Sequence, residues 1–300
     1  MSDIQWPQKT QEFHNHHFDS TMWDHFVPRD DDIVISTYAK SGTTWLQQIV
    51  SQLLFNGEAG LEVAHMSPWI DLRVPPHFVK MPEVEAQTHR RFVKTHLPVP
   101  ALRFFPQAKY LYIGRDARDA IWSMHNHHLN ANAKWYGALN ETPGRVGPPI
   151  APPPESPREY FLEWLEKDGH PLWPYWENIR SWWAIRDLPN VHLMHFANMK
   201  ADLPGQIREV AKFLDIEIDE AKWDDILLHC SFAYMKENAT KSVPLGGAFW
   251  DAGAKVFIHK GVNGRWRDTL SADESAAFEA RAVQELGAEC AHFMATGELP

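Results

Sequence analysis

The sequence predicts an α/β protein: a single domain with a central parallel sheet, helices on both faces and a P-loop-like phosphate-binding turn. Three observations lead there. Short, apolar, β-branched runs alternate with stretches of helical period, the pattern of strands buried on both faces. A glycine-containing turn carrying a lysine and two threonines joins the first such run to the first helix. No internal repeat and no second strand–helix array follows, so residues 1–300 read as one domain.

The first run, Ile33-Val34-Ile35-Ser36-Thr37-Tyr38, comes after the polar turn Asp30-Asp31-Asp32 and suits a buried strand. After the turn Ala39–Thr44, residues Trp45, Leu46, Ile49, Val50, Leu53 and Leu54 recur at helical spacing until Asn56-Gly57 ends the helix. Arg91–His96 reads as a second strand, stopped by Leu97-Pro98, and Lys109–Gly114 as a third. Arg115–Asp119 opens a helix through Ala120, Ile121 and Met124. Val191–Phe196 is the fourth strand, and Ile207–Leu214 a helix with Val210, Ala211 and Leu214 on one face.

Two stretches break this alternation. Residues 143–157 hold seven prolines and no period, so they form an extended loop, with a possible role as a lid beside a pocket. Glu159–Arg186 carries Trp164, Trp173, Trp176, Trp182 and Trp183, which at helical spacing read as core.

Composition narrows the function classes. Hydrophobic residues make up 44% of the chain and charged residues 23%, ordinary for a globular protein. A formal net charge of −10 argues against nucleic acid as a partner, since phosphate backbones need a basic face. The two cysteines, Cys230 and Cys290, suit buried thiols in a reducing compartment. Met1–Thr10 lacks the pattern of a signal peptide, and no apolar stretch approaches the roughly 20 residues of a membrane span, so the expected location is cytoplasmic, with no membrane insertion. The clusters His14/His16/His17 and His125/His127/His128 have no cysteine or carboxylate arranged to complete a metal site, and no metal is expected.

The turn Lys40-Ser41-Gly42-Thr43-Thr44 supplies what an anion needs. Unpaired N–H groups and the helix dipole make this end positive. Gly42 allows close backbone approach, Thr43 and Thr44 add hydroxyl donors and Lys40 adds a charge. It is not a Walker A loop, because the lysine precedes the glycine. Downstream, Lys94 and His96 stand two apart on a strand, share a face and could point into one pocket.

Thr37-Tyr38-Ala39-Lys40-Ser41-Gly42-Thr43-Thr44-Trp45 resembles the 5′-phosphosulfate loop of cytosolic-type sulfotransferases that use 3′-phosphoadenosine-5′-phosphosulfate (PAPS), departing from TYPKSGTTW only at Ala39. Lys94-Thr95-His96-Leu97-Pro98 is similar to the family's K-[TS]-H-L-P segment, and Arg115–Ser123 to its 3′-phosphate segment. Lys260-Gly261-Val262-Asn263-Gly264-Arg265-Trp266 resembles its KGxxGxW loop. These segments keep the family's order over about residues 30–271.

The resemblance implies transfer of a sulfuryl group from PAPS to a small-molecule acceptor, with 3′-phosphoadenosine 5′-phosphate (PAP) as product and no metal. By it, Lys40 contacts the bridging oxygen, Ser41, Gly42, Thr43 and Thr44 hold the 5′-phosphate, and Trp45 stacks on adenine. Arg115 and Ser123 bind the 3′-phosphate, closed over by Lys260 and Gly261, while Phe232 packs on adenine. His96 is the general base, near neutrality in its unperturbed state, with Lys94 and Ser123 as further catalytic candidates.

Some positions depart from the pattern. His259 replaces an arginine before Lys260, so 3′-phosphate binding is expected to be weaker or pH-dependent. Phe196 replaces a frequent tyrosine on the adenine side, and Cys230 a threonine. Trp69 and His127 fall where pocket phenylalanines are common; His127 makes the acceptor pocket more polar, so aromatic, alcohol and glycolipid acceptors all fit. The family's dimer motif is poorly matched by Arg267, Ser271, Ala272 and Ala276, leaving a homodimer in doubt. Competing readings are a nucleoside kinase-like phosphotransferase, which lacks its Walker lysine and magnesium aspartate here, and a non-catalytic nucleotide-binding protein on the same fold.

Overall fold

In the computed structural model, which describes residues 4–299, the expected strands are Ile33–Thr37 (β1), Phe92–Thr95 (β2), Lys109–Gly114 (β3) and Val191–His195 (β4). They form one parallel sheet in the order β2-β1-β3-β4. β1 is central, so the loops leaving β1, β2 and β3 open at the same sheet edge, where Ser36 pairs in register with Thr95 and with Tyr112.

Alternation along β1 divides the core into two layers. Ile33 and Ile35, with Leu111 and Ile113 of β3, pack under the helix Thr43–Leu54 (α1) and the helix Leu203–Phe213. Val34, with Val93, Tyr110 and Tyr112, faces the helices Ala117–Leu129, Pro157–Glu166 and Trp176–Ala184. The tryptophan-rich stretch is core as expected: Trp164, Trp173, Trp176 and Trp182 are all buried, and only Trp183 is partly exposed. No helix among the described residues is long and apolar enough to cross a membrane.

Local chemistry departs from the sequence reading in two places. Asp32, expected in a polar turn, is fully buried and accepts two hydrogen bonds from Arg91, at 2.8 Å from Nε and 2.5 Å from Nη2. That two-pronged pair ties the start of β1 to the start of β2. Phe196, expected in the fourth strand, begins the helix Phe196–Ala201 instead, because the His195 ring accepts from the N–H of Ala197 and caps it. Ser271 starts the helix Ala272–Leu286 through a reciprocal capping box with Glu274.

The proline-rich stretch is extended up to Ser156, which caps the helix beginning at Pro157. It is held in place by Asn140, whose side chain exchanges two 2.9 Å bonds with the backbone of Ile150, and by Arg73, which donates to Thr142 and Pro143 carbonyls.

Candidate active site

The carboxyl end of β1 leads directly into the anion turn. Lys40 (φ 63°) and Gly42 (φ 120°) both adopt left-handed backbone conformations. A Cβ at Gly42 would lie 2.9 Å from Ile113 Cδ1 and 3.1 Å from Phe196, so both φ and space demand glycine. α1 then begins without a side-chain cap. The N–H groups of Gly42, Thr43, Thr44 and Trp45 find no acceptor among the described residues, and all four residues line a cleft of about 490 Å³. Such a bare helix start at the end of a buried strand is built for an anion.

Lys40 and Lys94 project into the same cleft. The Lys40 ammonium lies 3.9 Å from the Phe257 ring centroid. Burial, with Arg115 and Lys94 nearby, lowers its pKa to about 7, and burial lowers that of Lys94 to about 8. Two buried lysines side by side in one cleft, with Arg115 near Lys40, favour a polyanionic ligand.

His96 follows β2 and is oriented from both sides. Its Nδ1 lies 2.8 Å from the Thr37 carbonyl oxygen and 3.0 Å from Thr37 Oγ1. A carbonyl only accepts, so Nδ1 carries the proton and Nε2 keeps a lone pair. His96 Nε2 has no partner among the described residues, and His96 lines the cleft. Burial, Lys94 and Lys40 lower the His96 pKa to about 3, against the opposing bond to Thr37. Behind it, the His96 N–H donates to the buried Asp71 carboxylate, which also accepts from Trp23 Nε1 at 3.1 Å and Trp69 Nε1 at 2.6 Å. The His96 carbonyl accepts from Asn178 at 2.9 Å.

Arg115 leaves the end of β3. It donates to the Lys40 carbonyl at 3.0 Å and to Asn263 Oδ1 at 2.9 Å, and its guanidinium lies 4.1 Å from the Phe196 ring centroid. Burial lowers its pKa to about 10, with Asp119 and Asp116 opposing. Ser123, on the helix that follows, lines the same cleft. Trp45 meets Phe196 edge-on at 5.5 Å, its Nε1 held by the Cys230 carbonyl.

The segment 257–265 covers this end. Lys200 donates to the Gly261 carbonyl at 2.6 Å and Lys236 to the His259 carbonyl at 2.8 Å. Gly261 (φ 61°) sits so close to Phe232 that a Cβ would fall 2.6 Å from its ring. Arg265 Nη1 lies 3.4 Å from His259 Nδ1, which brings a guanidinium to the place where the sequence showed only a histidine. Burial, then Arg265 and Lys260, lower the His259 pKa.

The other end of the cleft is aromatic. Trp69 meets His96 edge-on at 4.7 Å, and Trp173 stacks beside His96 at 5.9 Å. His127 packs against Trp250 at 4.9 Å and Phe257 at 5.3 Å.

All but one of the residues expected in the site line the cleft: Lys40, Gly42, Thr43, Thr44, Trp45, Trp69, Lys94, His96, Arg115, Ser123, His127, Phe196, Phe232, His259, Lys260 and Gly261. The exception is Ser41, which is 1% exposed. None of residues 143–157 lines the cleft; His125, which hydrogen-bonds the Pro154 carbonyl, does not line it either.

Several wall residues escaped the sequence reading. Trp173 serves both core and cleft, which periodicity could not separate. Arg265 lay inside a segment already noted. Trp135 comes from a stretch with no motif, Lys200 follows Phe196 in the segment noted for that residue, and His17 stood out only in a histidine cluster weighed as a metal site. Among the described residues no group of three or more His, Cys, Asp or Glu is arranged to hold a metal ion.

Comparison with known proteins bears on the family and the fold. The sulfotransferase-domain family matches residues 30–288. A glycolipid sulfotransferase of Mycobacterium bovis is 31% identical over 289 residues, covering 89% of this chain and 88% of that protein. Rat sulfotransferase 1C2 is 28% identical, covering 89% and 87%. Among solved structures, mouse sulfotransferase SULT7A1 complexed with PAP superposes with a TM-score of 0.69 at 23% identity, covering 91% of both chains. Retinol dehydratase in a complex with retinol and PAP gives 0.66 at 24% identity, covering 89% and 84%.

Proposed function

This chain belongs to the sulfotransferase family, and we propose that it moves the sulfuryl group of PAPS to a hydroxyl or amine of a small aromatic, alcohol or glycolipid acceptor, releasing PAP. The observation that carries this reading is the His96 ring. It is held by Thr37 with its Nε2 lone pair free in a cleft that also contains Lys40, Lys94 and the bare start of α1.

The cleft fits the donor by its own chemistry: unpaired N–H groups at Gly42–Trp45, a glycine that a Cβ would crowd, and cations at Lys40, Lys94, Arg115 and Lys260. When bound, PAPS supplies an electrophilic sulfur and a phosphate leaving group. The N–H groups of the turn and the Thr44 hydroxyl hold the 5′-phosphate. Arg115, Ser123, Lys260 and the Gly261 backbone hold the 3′-phosphate, with Arg265 beside His259 adding a charge. Trp45, Phe196 and Phe232 flank the adenine.

In the transfer, His96 Nε2 takes the acceptor's hydroxyl proton as the acceptor oxygen bonds to sulfur. The bridging S–O bond breaks in line, and its electron pair leaves on the phosphate oxygen. Lys40 stabilises that developing charge. The repulsion from Lys40 and Lys94 that lowers the His96 pKa is offset by the negative donor, so His96 becomes a better base when the donor is bound. Trp69, Trp173 and His127 wall the acceptor side. The pair of free, buried cysteines fits a cytoplasmic setting.

The test measures melting temperature with PAP and PAP release from PAPS over a panel of phenols, alkyl alcohols and glycosides. The expected result is a PAP-dependent rise in melting temperature and release with at least one acceptor class. Stabilisation with no transfer to any acceptor would return the chain to a nucleotide-binding role.

A further inference from the structure

On the acceptor side of the cleft stands a second histidine whose tautomer the structure determines. His16 Nε2 lies 2.7 Å from the Pro171 carbonyl, so His16 carries its proton there and Nδ1 is bare. His16 Nδ1 and His17 Nδ1 are 2.5 Å apart, which requires one proton between them. Because His16 Nδ1 is bare, that proton belongs to His17. His17 Nε2 is therefore a lone pair, with no partner among the described residues, on a side chain 6% exposed that lines the cleft. Burial lowers the pKa of both imidazoles, which keeps the pair neutral.

The chain Pro171 carbonyl–His16–His17 repeats what the Thr37 carbonyl does for His96: each leaves one aimed acceptor in the same cleft. The two imidazoles are bridged by the same indoles. Trp69 is 6.1 Å from His17 and 4.7 Å from His96; Trp173 is 5.7 Å and 5.9 Å away. His127 differs: its Nδ1 is buried without a partner, and nothing determines its tautomer.

We propose that His17 is a specificity-determining hydrogen-bond acceptor, and that the preferred acceptor molecule carries a second hydroxyl or N–H donor across a flat skeleton from the hydroxyl that receives the sulfuryl group. The inference rests on the sulfotransferase reading above for which hydroxyl reacts, but not for the binding itself. A buried acceptor with no partner penalises ligands that cannot donate to it. The skeleton between the two donors lies along Trp69 and Trp173, so it is flat and apolar.

The test uses matched pairs, phenol against hydroquinone and 2-naphthol against 2,6-dihydroxynaphthalene. Binding to PAP-loaded protein is read by quenching of tryptophan fluorescence, alongside PAP release from PAPS. In the wild type, at least one diol binds about tenfold tighter than its mono-ol, equivalent to ~1.4 kcal/mol. His17→Phe keeps an aromatic ring and abolishes this preference, with mono-ol binding no weaker than in the wild type and the PAP-dependent melting shift retained. His16→Ala, which keeps the His17 ring but releases its tautomer, reduces the preference as well. Equal binding of both members of each pair by the wild type overturns the proposal, as does a His17→Phe variant that weakens mono-ol and diol alike, or a wild type that binds none of them. A diol preference in binding without PAP release leaves the His17 assignment standing and removes phenols as the sulfuryl acceptor in the transferase reading instead.

Discussion

The Nδ1 of His96 and the carbonyl oxygen of Thr37 lie 2.8 Å apart, across the ends of neighbouring parallel strands. That contact turns a property of the sheet into a property of the site. The register that pairs Ser36 with Thr95 brings the next residues, Thr37 and His96, together where both strands leave the sheet. The ring thereby presents a lone pair, not an N–H, to the cleft. His96→Gln is expected to lower kcat by about 10²–10⁴-fold, the range for loss of a general base. The PAP-dependent melting shift should persist, because the phosphate-binding turn is untouched; its loss would mean that His96 acts on donor binding.

Lys40 titrates inside the working pH range. Its pKa falls from the usual 10.5 to about 7 because the cleft is buried and Arg115 and Lys94 lie near. Between those values the unfolded chain binds more protons than the folded one, so this group's destabilisation is full below about pH 7 and is lost as pH rises toward 10.5. Lys40→Met should raise the melting temperature of the ligand-free protein at pH 7, with the advantage shrinking toward pH 10. The same variant should weaken PAP. In the wild type, PAP affinity should fall by up to tenfold per unit above about pH 7, with proton uptake seen by calorimetry in buffers of different ionisation heat.

Arg115 is already held in place by the Lys40 carbonyl and Asn263. A planar fork can grip a phosphate with two parallel bonds, whereas a lysine offers a point charge. Arg115→Lys is expected to cut the preference for PAP over AMP by at least about tenfold, with AMP binding little changed. An equal loss for both nucleotides would place Arg115 at the 5′ end instead.

Tyr38 supports the Trp173 wall of the cleft from behind. Its hydroxyl donates to the Trp173 carbonyl at 2.9 Å and accepts from Trp164 Nε1 at 3.0 Å, fully buried. Tyr38→Phe leaves both groups unsatisfied and should cost about 1–3 kcal/mol of stability. Because Trp173 flanks His96, acceptor KM should rise while PAP affinity holds.

The sequence by itself determined the four strands, the anion turn and many of the residues that line the cleft beside it, Lys40, Gly42, Thr43, Thr44, Arg115 and Lys260 among them. Those features are local: a buried parallel strand is a short apolar run, and a turn that binds phosphate must place its glycine, lysine and hydroxyls within a few residues. Only the tertiary structure decided which way His96 is protonated, since the deciding carbonyl belongs to Thr37 on another strand. It alone made Asp32 the buried partner of Arg91 and brought Arg265 to His259. The aromatic end of the cleft was the least legible part. His17, Trp69, Trp135 and Trp173 come from four separate stretches, and apolar residues that line a pocket have the same period as those that fill a core.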